Sequence, residues 1–139
     1  MKKLFPLLAI MLVAFAACKD DDTSTTPEPE LTTAQKIQHK WNIDNIIDIN
    51  YNGQTTTVES RDTFPPVTGD YIHFLANNTA EFKFDGDTDD VDYKIVNDQT
   101  LEFDGDVFTI VTLTESLFVF RYEDRASDPY YDNYVYLSR

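Results

Sequence analysis

The chain has little of what most catalytic and metal sites require. Its 139 residues include 1 cysteine, 2 histidines and 4 glycines. One cysteine excludes an internal disulfide, and the two histidines occur in no HExxH or His/Cys zinc spacing. The sequence also contains no GxSxG motif for a serine triad and no glycine-rich phosphate loop. We therefore predict that the protein is not an enzyme and has no resident cofactor.

Basic residues are scarce as well. The 11 Lys and Arg residues stand against 25 Asp and Glu, which gives a formal net charge of −14. From residue 33 onward, 8 basic and 20 acidic side chains leave a charge of −12. Binding to phosphates requires a positive surface, so a nucleic-acid partner is excluded. Attachment to a membrane through a basic patch is excluded for the same reason.

The one long apolar run, residues 4–17, follows Lys2 and Lys3 at the start of the chain. A bilayer-spanning helix needs about 20 residues, so this shorter run predicts a signal peptide over residues 1–17. The run ends in Ala16-Ala17-Cys18, which resembles a lipobox and implies that Cys18 is lipidated. Two acyl chains suffice for stable anchoring in a membrane. The alternative is ordinary cleavage after residues 14–16, which would leave Cys18 as a free thiol.

Residues 18–32 predict a disordered acidic tether behind the lipidated Cys18, because this polar, proline-containing segment has too few apolar side chains to fold. The residues after the cysteine resemble the surface-export signal of Bacteroidota lipoproteins. This signal consists of Lys19, Asp20, Asp21 and Asp22. The resemblance implies display on the outer face of the outer membrane. The alternative is a solvated acidic linker with no address.

The rest of the chain, residues 33–139, predicts one all-β domain. After a short helix over residues 33–40, Trp41, Ile43, Ile47, Ile49 and Tyr51 alternate with polar residues, as in a half-buried strand. Asn52-Gly53 predicts a two-residue type I′ turn. Further strands are predicted at 55–61, 71–75, 79–84, 91–96, 100–103, 106–113, 116–123 and 130–138. Short strands separated by tight turns favour a small up-and-down antiparallel β-barrel of about eight or nine strands.

Two stretches resemble the lipocalin-like domains of Bacteroidota lipoproteins: Lys40-Trp41-Asn42-Ile43 and residues 71–79 (YIHFLANNT). That resemblance implies a barrel that binds a small ligand or a partner. About eight strands enclose just enough space for side chains or one small ligand. The inward candidates are large, so we expect a mostly filled barrel with a shallow aromatic mouth. These candidates are Trp41, Phe74, Phe82, Phe84, Tyr93, Phe108, Phe120 and Tyr122.

Four aromatic residues near predicted loops are the candidate ligand-binding residues, because flat rings stack on sugars and apolar molecules. They are Phe64, Tyr71, Tyr130 and Tyr131. The predicted function is binding of a small apolar or glycan ligand by a lipoprotein exposed on the cell surface. The alternative is a non-catalytic interaction subunit that docks on another surface protein. It would use an acidic rim or an outer sheet face of strands 106–113 and 116–123, unless the N-terminal helix covers that face through Ile37.

Alternating strand directions would gather four acidic loops, 62–70, 85–90, 104–106 and 124–129, at the end of the barrel that the tether joins. Clustered carboxylates repel one another unless a cation or a basic partner neutralises them. Asp85, Asp87 and Asp89 have the 1, 3, 5 spacing of a calcium loop, although Asp90 stands where that loop needs glycine. The interpretation we favour is that aspartate suits turns and keeps the domain soluble. The alternative is that these aspartates bind calcium.

Overall fold

The computed structural model describes residues 30–139, which form one short helix and nine strands. No helix in this part of the chain is long and apolar enough to cross a membrane. The elements are α1 (Thr33–Ile37), β1 (Lys40–Tyr51), β2 (Val58–Phe64), β3 (Tyr71–Phe74), β4 (Thr79–Phe84), β5 (Asp87–Asn97), β6 (Thr100–Phe103), β7 (Asp106–Leu113), β8 (Leu117–Asp124) and β9 (Tyr131–Ser138).

The last strand closes the sheet on the first. β1 and β3 to β9 form a closed eight-strand antiparallel barrel, and β2 is an extra strand beside β1. The β1–β9 ladder extends from Asn42 opposite Ser138 to Asn50 opposite Tyr131. The predicted all-β barrel with a short N-terminal helix is therefore confirmed. The helix itself ends at Ile37, three residues earlier than predicted.

β2 and β3 lie one after the other on the same edge of β1. β2 pairs with residues 46–51 and β3 with residues 40–42, while β9 occupies the opposite edge. Both strands are antiparallel to β1, so the chain keeps its direction through residues 65–70. The prediction that residues 62–70 form a reversing loop was wrong. Pro65-Pro66 removes two backbone donors and stops the ladder without turning the chain.

This interrupted strand changes which loops share an end of the barrel. The turns at 75–78, 98–99 and 114–116 lie with α1 at what we call the proximal end, where Thr33 Oγ1 lies 2.7 Å from Asp98 Oδ1. The loops at 52–57, 85–86, 104–105 and 125–130 lie at the opposite, distal end. The chain enters the domain at the proximal end, so the prediction that the tether joins the acidic end was wrong.

The connection after β1 is also longer than predicted. The amide of Asn52 donates to the carbonyl of Thr57 at 2.8 Å, which makes residues 52–57 a wider loop. Gly53 has a φ of 57°, whereas a type I′ turn needs positive φ at both central residues and Asn52 is not among the positive-φ residues. The predicted two-residue turn at Asn52-Gly53 is therefore wrong.

Bulges decide which side chains face the core. In β1 the register with β9 skips Asp44, so Ile46 packs on the core and Ile47 lies on the outer face. One extra residue reverses the face of every side chain after it. The prediction that Ile47, Ile49 and Tyr51 share a face with Trp41 was therefore wrong. A second bulge, at Val111 of β7, likewise turns Leu113 onto the core rather than onto the predicted outer face.

Helix α1 plugs the proximal end of the barrel. Ile37 is fully buried in the core, and the indole N–H of Trp41 donates to its carbonyl at 2.9 Å. A capping box between Thr32 and Gln35 fixes the start of the helix. The helix does not cover the outer face of β7, since Val111 remains 50% exposed. Its apolar residue belongs to the core instead.

Candidate functional site

Inward aromatic side chains become more exposed toward the distal end. Trp41, Phe74 and Leu101 are at most 1% exposed, in line with the predicted filling of the barrel. Beside the distal turns, five inward aromatic side chains are only partly buried, and we name them the aromatic wall. They are Phe82, Phe84, Phe103, Phe108 and Tyr122. We name this end of the barrel interior the distal mouth.

Ring contacts hold the aromatic wall in place. The ring centroids of Phe82 and Phe84 are 6.1 Å apart, and those of Phe108 and Tyr122 are 5.6 Å apart. Phe103 joins the wall to the deeper core through Phe120, at 6.1 Å. All three distances lie in the range of favourable aromatic pairs. The wall is therefore a preformed extension of the core that solvent can reach.

β1 and β9 add a polar wall to the distal mouth, made of Asp48, Tyr131 and Asn133. Asp48 Oδ1 accepts hydrogen bonds from the Tyr131 hydroxyl at 2.6 Å and from Asn133 Nδ2 at 2.7 Å. Burial, followed by the hydrogen bond to Asp48, raises the pKa of Tyr131 well above its usual value. Tyr131 is therefore a neutral donor at physiological pH. Asp48 faces inward because the bulge at Asp44 has reversed the faces of β1.

The outer surface of the distal end holds a separate pocket. The loops that flank it are joined by hydrogen bonds from the Tyr51 amide to the Tyr130 carbonyl, 3.0 Å, and from the Tyr130 amide to the Gly53 carbonyl, 3.1 Å. Between them the Arg125 guanidinium carbon lies 5.1 Å from the ring centre of Tyr51 and 5.4 Å from that of Tyr130. These three side chains, with Thr55, Thr56 and Val58, line about 240 Å³, and we name this space the outer pocket.

A buried carboxylate fixes the back of the outer pocket. Asp132 is 1% exposed, and its Oδ1 lies 2.6 Å from Arg125 Nη2. Its Oδ2 accepts a hydrogen bond from the Tyr51 hydroxyl at 2.7 Å, which raises the pKa of Tyr51. Because side chains alternate along β9, Asp132 faces outward between the inward Tyr131 and Asn133. The Arg125 guanidinium is thereby held against the sheet rather than left mobile.

The four predicted ligand-binding residues do not converge on one site. Phe64 ends β2, and Tyr71 lies on β3 with its hydroxyl bonded to Glu81 and the Lys40 ammonium over its ring. Tyr130 lines the outer pocket, while Tyr131 belongs to the polar wall of the distal mouth. Tyr130 and Tyr131 are therefore the two that lie next to each other, Tyr130 on the outer face of the barrel wall and Tyr131 on the inner face.

The three aspartates with calcium-loop spacing are spread along an extended hairpin. Asp85 lies in the turn with a φ of 51°, whereas Asp87 and Asp89 belong to β5, opposite Phe84 and Phe82. An extended ladder separates side chains that a calcium loop would curl around one ion. Within residues 30–139, no group of three or more His, Cys, Asp and Glu side chains is placed to hold a metal ion.

The acidic rim is smaller than the sequence indicated. Asp62 lies within β2 opposite Asp48, and the buried Asp70 accepts the Val67 amide at 2.8 Å in the wall of the barrel. Asp124 accepts from the Ser127 hydroxyl and from the amides of residues 126 and 127, which lowers the pKa of its carboxyl. Several of these aspartates therefore serve the backbone of their own loops.

Sequence analysis missed Asp48, Tyr51 and Arg125. A usable signal existed for Arg125, which is the one basic residue between positions 122 and 138 and lies in the acidic loop EDRASD. A lone cation among carboxylates is a candidate for an ion pair, here with Asp132 and Glu123. No comparable signal existed for Asp48, because its inward direction depends on the bulge at Asp44.

No protein-family model matches the chain, and a search of curated proteins found no significant match. The resemblance to lipocalin-like domains therefore stays a prediction. The predicted signal peptide (1–17), the lipidated Cys18, the export signal Lys19 to Asp22 and most of the tether lie outside the described residues. These assignments also stay predictions.

Proposed function

We propose that the chain is a lipid-anchored, non-catalytic binding module that takes a small apolar or amphipathic ligand at the distal mouth. One observation carries the proposal: the inward aromatic side chains Trp41, Phe74 and Phe118 are at most 1% exposed, whereas the inward aromatic rings beside the distal turns are partly exposed. A barrel that served only as a scaffold gains nothing from leaving such rings in reach of water.

The two walls of the distal mouth suit a ligand with one apolar and one polar side. The aromatic wall offers ring faces, while Asp48 and Asn133 offer a carboxylate and an amide nearby. Ligand sites generally combine mostly apolar linings with a few fixed polar groups. Tyr131 and Asn133 hold Asp48 in one position, so a ligand donor would meet a preorganised acceptor. Phe74 and Phe120 fill the barrel beneath the aromatic wall, which favours a small ligand or one end of a longer one.

The direction of the chain fits display from a membrane. The described segment begins at the proximal end, next to α1, so an anchor at Cys18 would hold the distal mouth away from the lipid. The residues between Cys18 and Glu30 are enough to separate the barrel from the headgroups, at about 3.5 Å per residue when extended. Lys19 to Asp22 would supply the address on the outer face of the outer membrane.

Ligand binding is tested by native mass spectrometry of the full chain purified from its host, together with titration of the neutral probe Nile red. We expect a retained small molecule, and a probe signal that Phe84→Ala lowers about tenfold through loss of one ring of the aromatic wall. Val111→Ser, on the outer face, is the matched control and leaves the signal unchanged. A bare mass combined with no probe binding would contradict the proposal.

Anchoring is tested by fractionation. Cys18→Ser should release the protein from the membrane fraction, because the thiol that carries the acyl chains is gone. Replacing Asp20, Asp21 and Asp22 by alanine should leave the protein in the membrane but protect it from protease added to whole cells. A Cys18→Ser protein that stays with the membrane would contradict the lipid anchor.

Docking on another surface protein is the second candidate function. Val107, Val111 and Leu117 on the outer face of β7 and β8 are 60%, 50% and 38% exposed. Exposed apolar residues on neighbouring strands favour a protein contact. Cross-linking on intact cells tests this candidate, with Val107→Ser and Val111→Ser expected to remove a specific adduct.

A further inference from the structure

We infer that the outer pocket is a second binding site, separate from the distal mouth, and that it takes a single uncharged sugar residue. The wall of the barrel separates the two sites, since Tyr130 belongs to the outer pocket and Tyr131 faces the interior. The inference does not depend on the ligand of the distal mouth. It depends on how Arg125 is held and on the charges around it.

The two terminal nitrogens of Arg125 already have partners within the chain, so they are not available to an anionic ligand. Its Nη1 lies within 3.4 Å of the Asp124 carbonyl and 3.2 Å of the Tyr131 carbonyl. Its Nη2 lies 3.0 Å from Glu123 Oε1 and 2.6 Å from Asp132 Oδ1. Recognition of a carboxylate or phosphate by arginine uses two parallel N–H donors, and here the chain itself occupies both nitrogens.

The charge around the outer pocket also opposes an anion. Glu123 and Asp132 offset the charge of Arg125, and Asp124 and Asp128 lie in the same loop. Asp128 extends to the facing loop: a Cβ atom added to Gly53 would lie 3.5 Å from Asp128 Oδ1. Arg121 also pairs with Glu123, so four carboxylates stand against two guanidinium groups. The local field is therefore still negative, and it repels sugar acids and phosphates.

A cationic ligand is disfavoured for a different reason. The ring faces of Tyr51 and Tyr130 are the groups that would attract a cation, and the guanidinium of Arg125 already lies over both. A second cation would have to displace Arg125 from Asp132, which is 1% exposed and would be left as an unpaired buried charge. The structure therefore selects against both charged classes of ligand.

An uncharged polyhydroxy ring satisfies the remaining features. The lining includes the hydroxyl-bearing residues Thr56 and Tyr130, and Val58 and the tyrosine rings bring apolar surface. The Thr55 hydroxyl donates to the Asn52 carbonyl at 2.7 Å and so belongs to its own loop. Sugars present alternating hydroxyl and C–H faces, which match hydroxyl groups and aromatic edges in one small space. The volume of about 240 Å³ lies below the roughly 300–1,000 Å³ of pockets for drug-sized ligands, so one ring fits rather than an oligosaccharide.

The experiment compares ligands that share a ring and differ in charge. The purified full chain is titrated with the methyl glycosides of glucose, galactose and mannose, and with glucuronate and glucosamine, by saturation-transfer NMR. We expect at least one neutral glycoside to bind in the millimolar range, and both charged sugars to bind at least about fivefold more weakly. Tighter binding of glucuronate, or no binding of any neutral glycoside, would overturn the inference.

Variants test whether the neutral glycoside binds in the outer pocket. Tyr130→Ala should weaken the neutral glycoside about tenfold, and Thr56→Val should weaken it without removing an aromatic side chain. Tyr136→Ala, on the outer face but outside the pocket, is the matched control. Phe84→Ala should leave sugar binding unchanged while it lowers Nile red binding, which separates this site from the distal mouth. Sugar binding that survives both Tyr130→Ala and Thr56→Val would overturn the assignment.

Discussion

The hydroxyl of Tyr131 donates to the carboxylate of Asp48 across the seam that closes the barrel, at 2.6 Å. The two residues are 83 positions apart in the chain and belong to β9 and β1. A hydrogen bond to a charged acceptor contributes about 1.5–3 kcal/mol when it is shielded from water. This contact therefore joins the stability of the closure to the polar wall of the distal mouth.

Tyr131→Phe should lower the free energy of unfolding by about 1–3 kcal/mol at pH 7, because Asp48 loses a donor. The folded protein holds the pKa of Tyr131 above its unfolded value of about 10. The wild-type contribution is therefore fully present below pH 10 and is lost as the pH rises toward the folded pKa. Urea unfolding at pH 7 and pH 11 measures this.

The difference between wild type and Tyr131→Phe should shrink at pH 11, because the unfolded wild-type chain gains free energy by ionising its phenol. Tyr134→Phe, an outer-face tyrosine on the same strand, serves as the control. A difference that stays constant or grows with pH would contradict the assignment of the raised pKa to Tyr131.

Arg125→Met should destabilise the fold through Asp132 rather than through its own exposed charge. The variant leaves a carboxylate that is 1% exposed without its cation. Loss of one partner of a fully buried pair costs about 3–5 kcal/mol, and the part-exposed Arg125 reduces this to about 2–3 kcal/mol. Urea unfolding of the single variant measures the loss.

The double variant Arg125→Met/Asp132→Asn should recover part of that stability, because the amide carries no charge to leave unpaired. Arg121→Met removes a pair whose carboxylate, Glu123, is 34% exposed and keeps its contact with water, so it should cost only about 0–1 kcal/mol. If Arg125→Met costs no more than Arg121→Met, Asp132 does not depend on Arg125.

The cost of removing an aromatic ring should fall from the proximal to the distal end. Phe74→Ala, in the fully buried core, should cost about 3–5 kcal/mol, while Phe84→Ala, in the half-buried aromatic wall, should cost about 1–2 kcal/mol. Thermal or urea unfolding measures both. Equal costs would indicate that the distal mouth is as tightly packed as the core, and would remove the main support for a ligand there.

Sequence pattern predicted the type and order of the elements, because alternation and turn residues are local. Three strands, β4, β6 and β7, have the predicted bounds. Sequence pattern failed where one extra residue changes which face of the sheet the later side chains occupy. The bulge at Asp44 reverses the faces of β1, and nothing in the composition of IDNII marks the extra residue.

The same limit applies to the candidate site. Pro65-Pro66 looked like a turn, yet β2 and β3 continue along one edge of β1, and this moved residues 52–57 to the distal end beside Arg125. The outer pocket exists only because of that placement. The direction of a strand depends on which edge of which neighbouring strand it pairs with. This pairing is a tertiary property that local propensity does not encode.

Two variants test whether α1 closes the proximal end of the barrel or covers the outer face of the sheet. Ile37→Ala should lower the free energy of unfolding by about 2–4 kcal/mol, because it leaves a cavity in the buried core at the proximal end of the barrel. Val111→Ser should change it by less than about 0.5 kcal/mol, since that side chain is half exposed. Urea unfolding of both variants, with tryptophan fluorescence as the probe, measures the difference and also reports on Trp41 directly. If Val111→Ser proves the costlier change, the helix covers the outer face of β7 and the proximal end of the barrel is not where the core is closed.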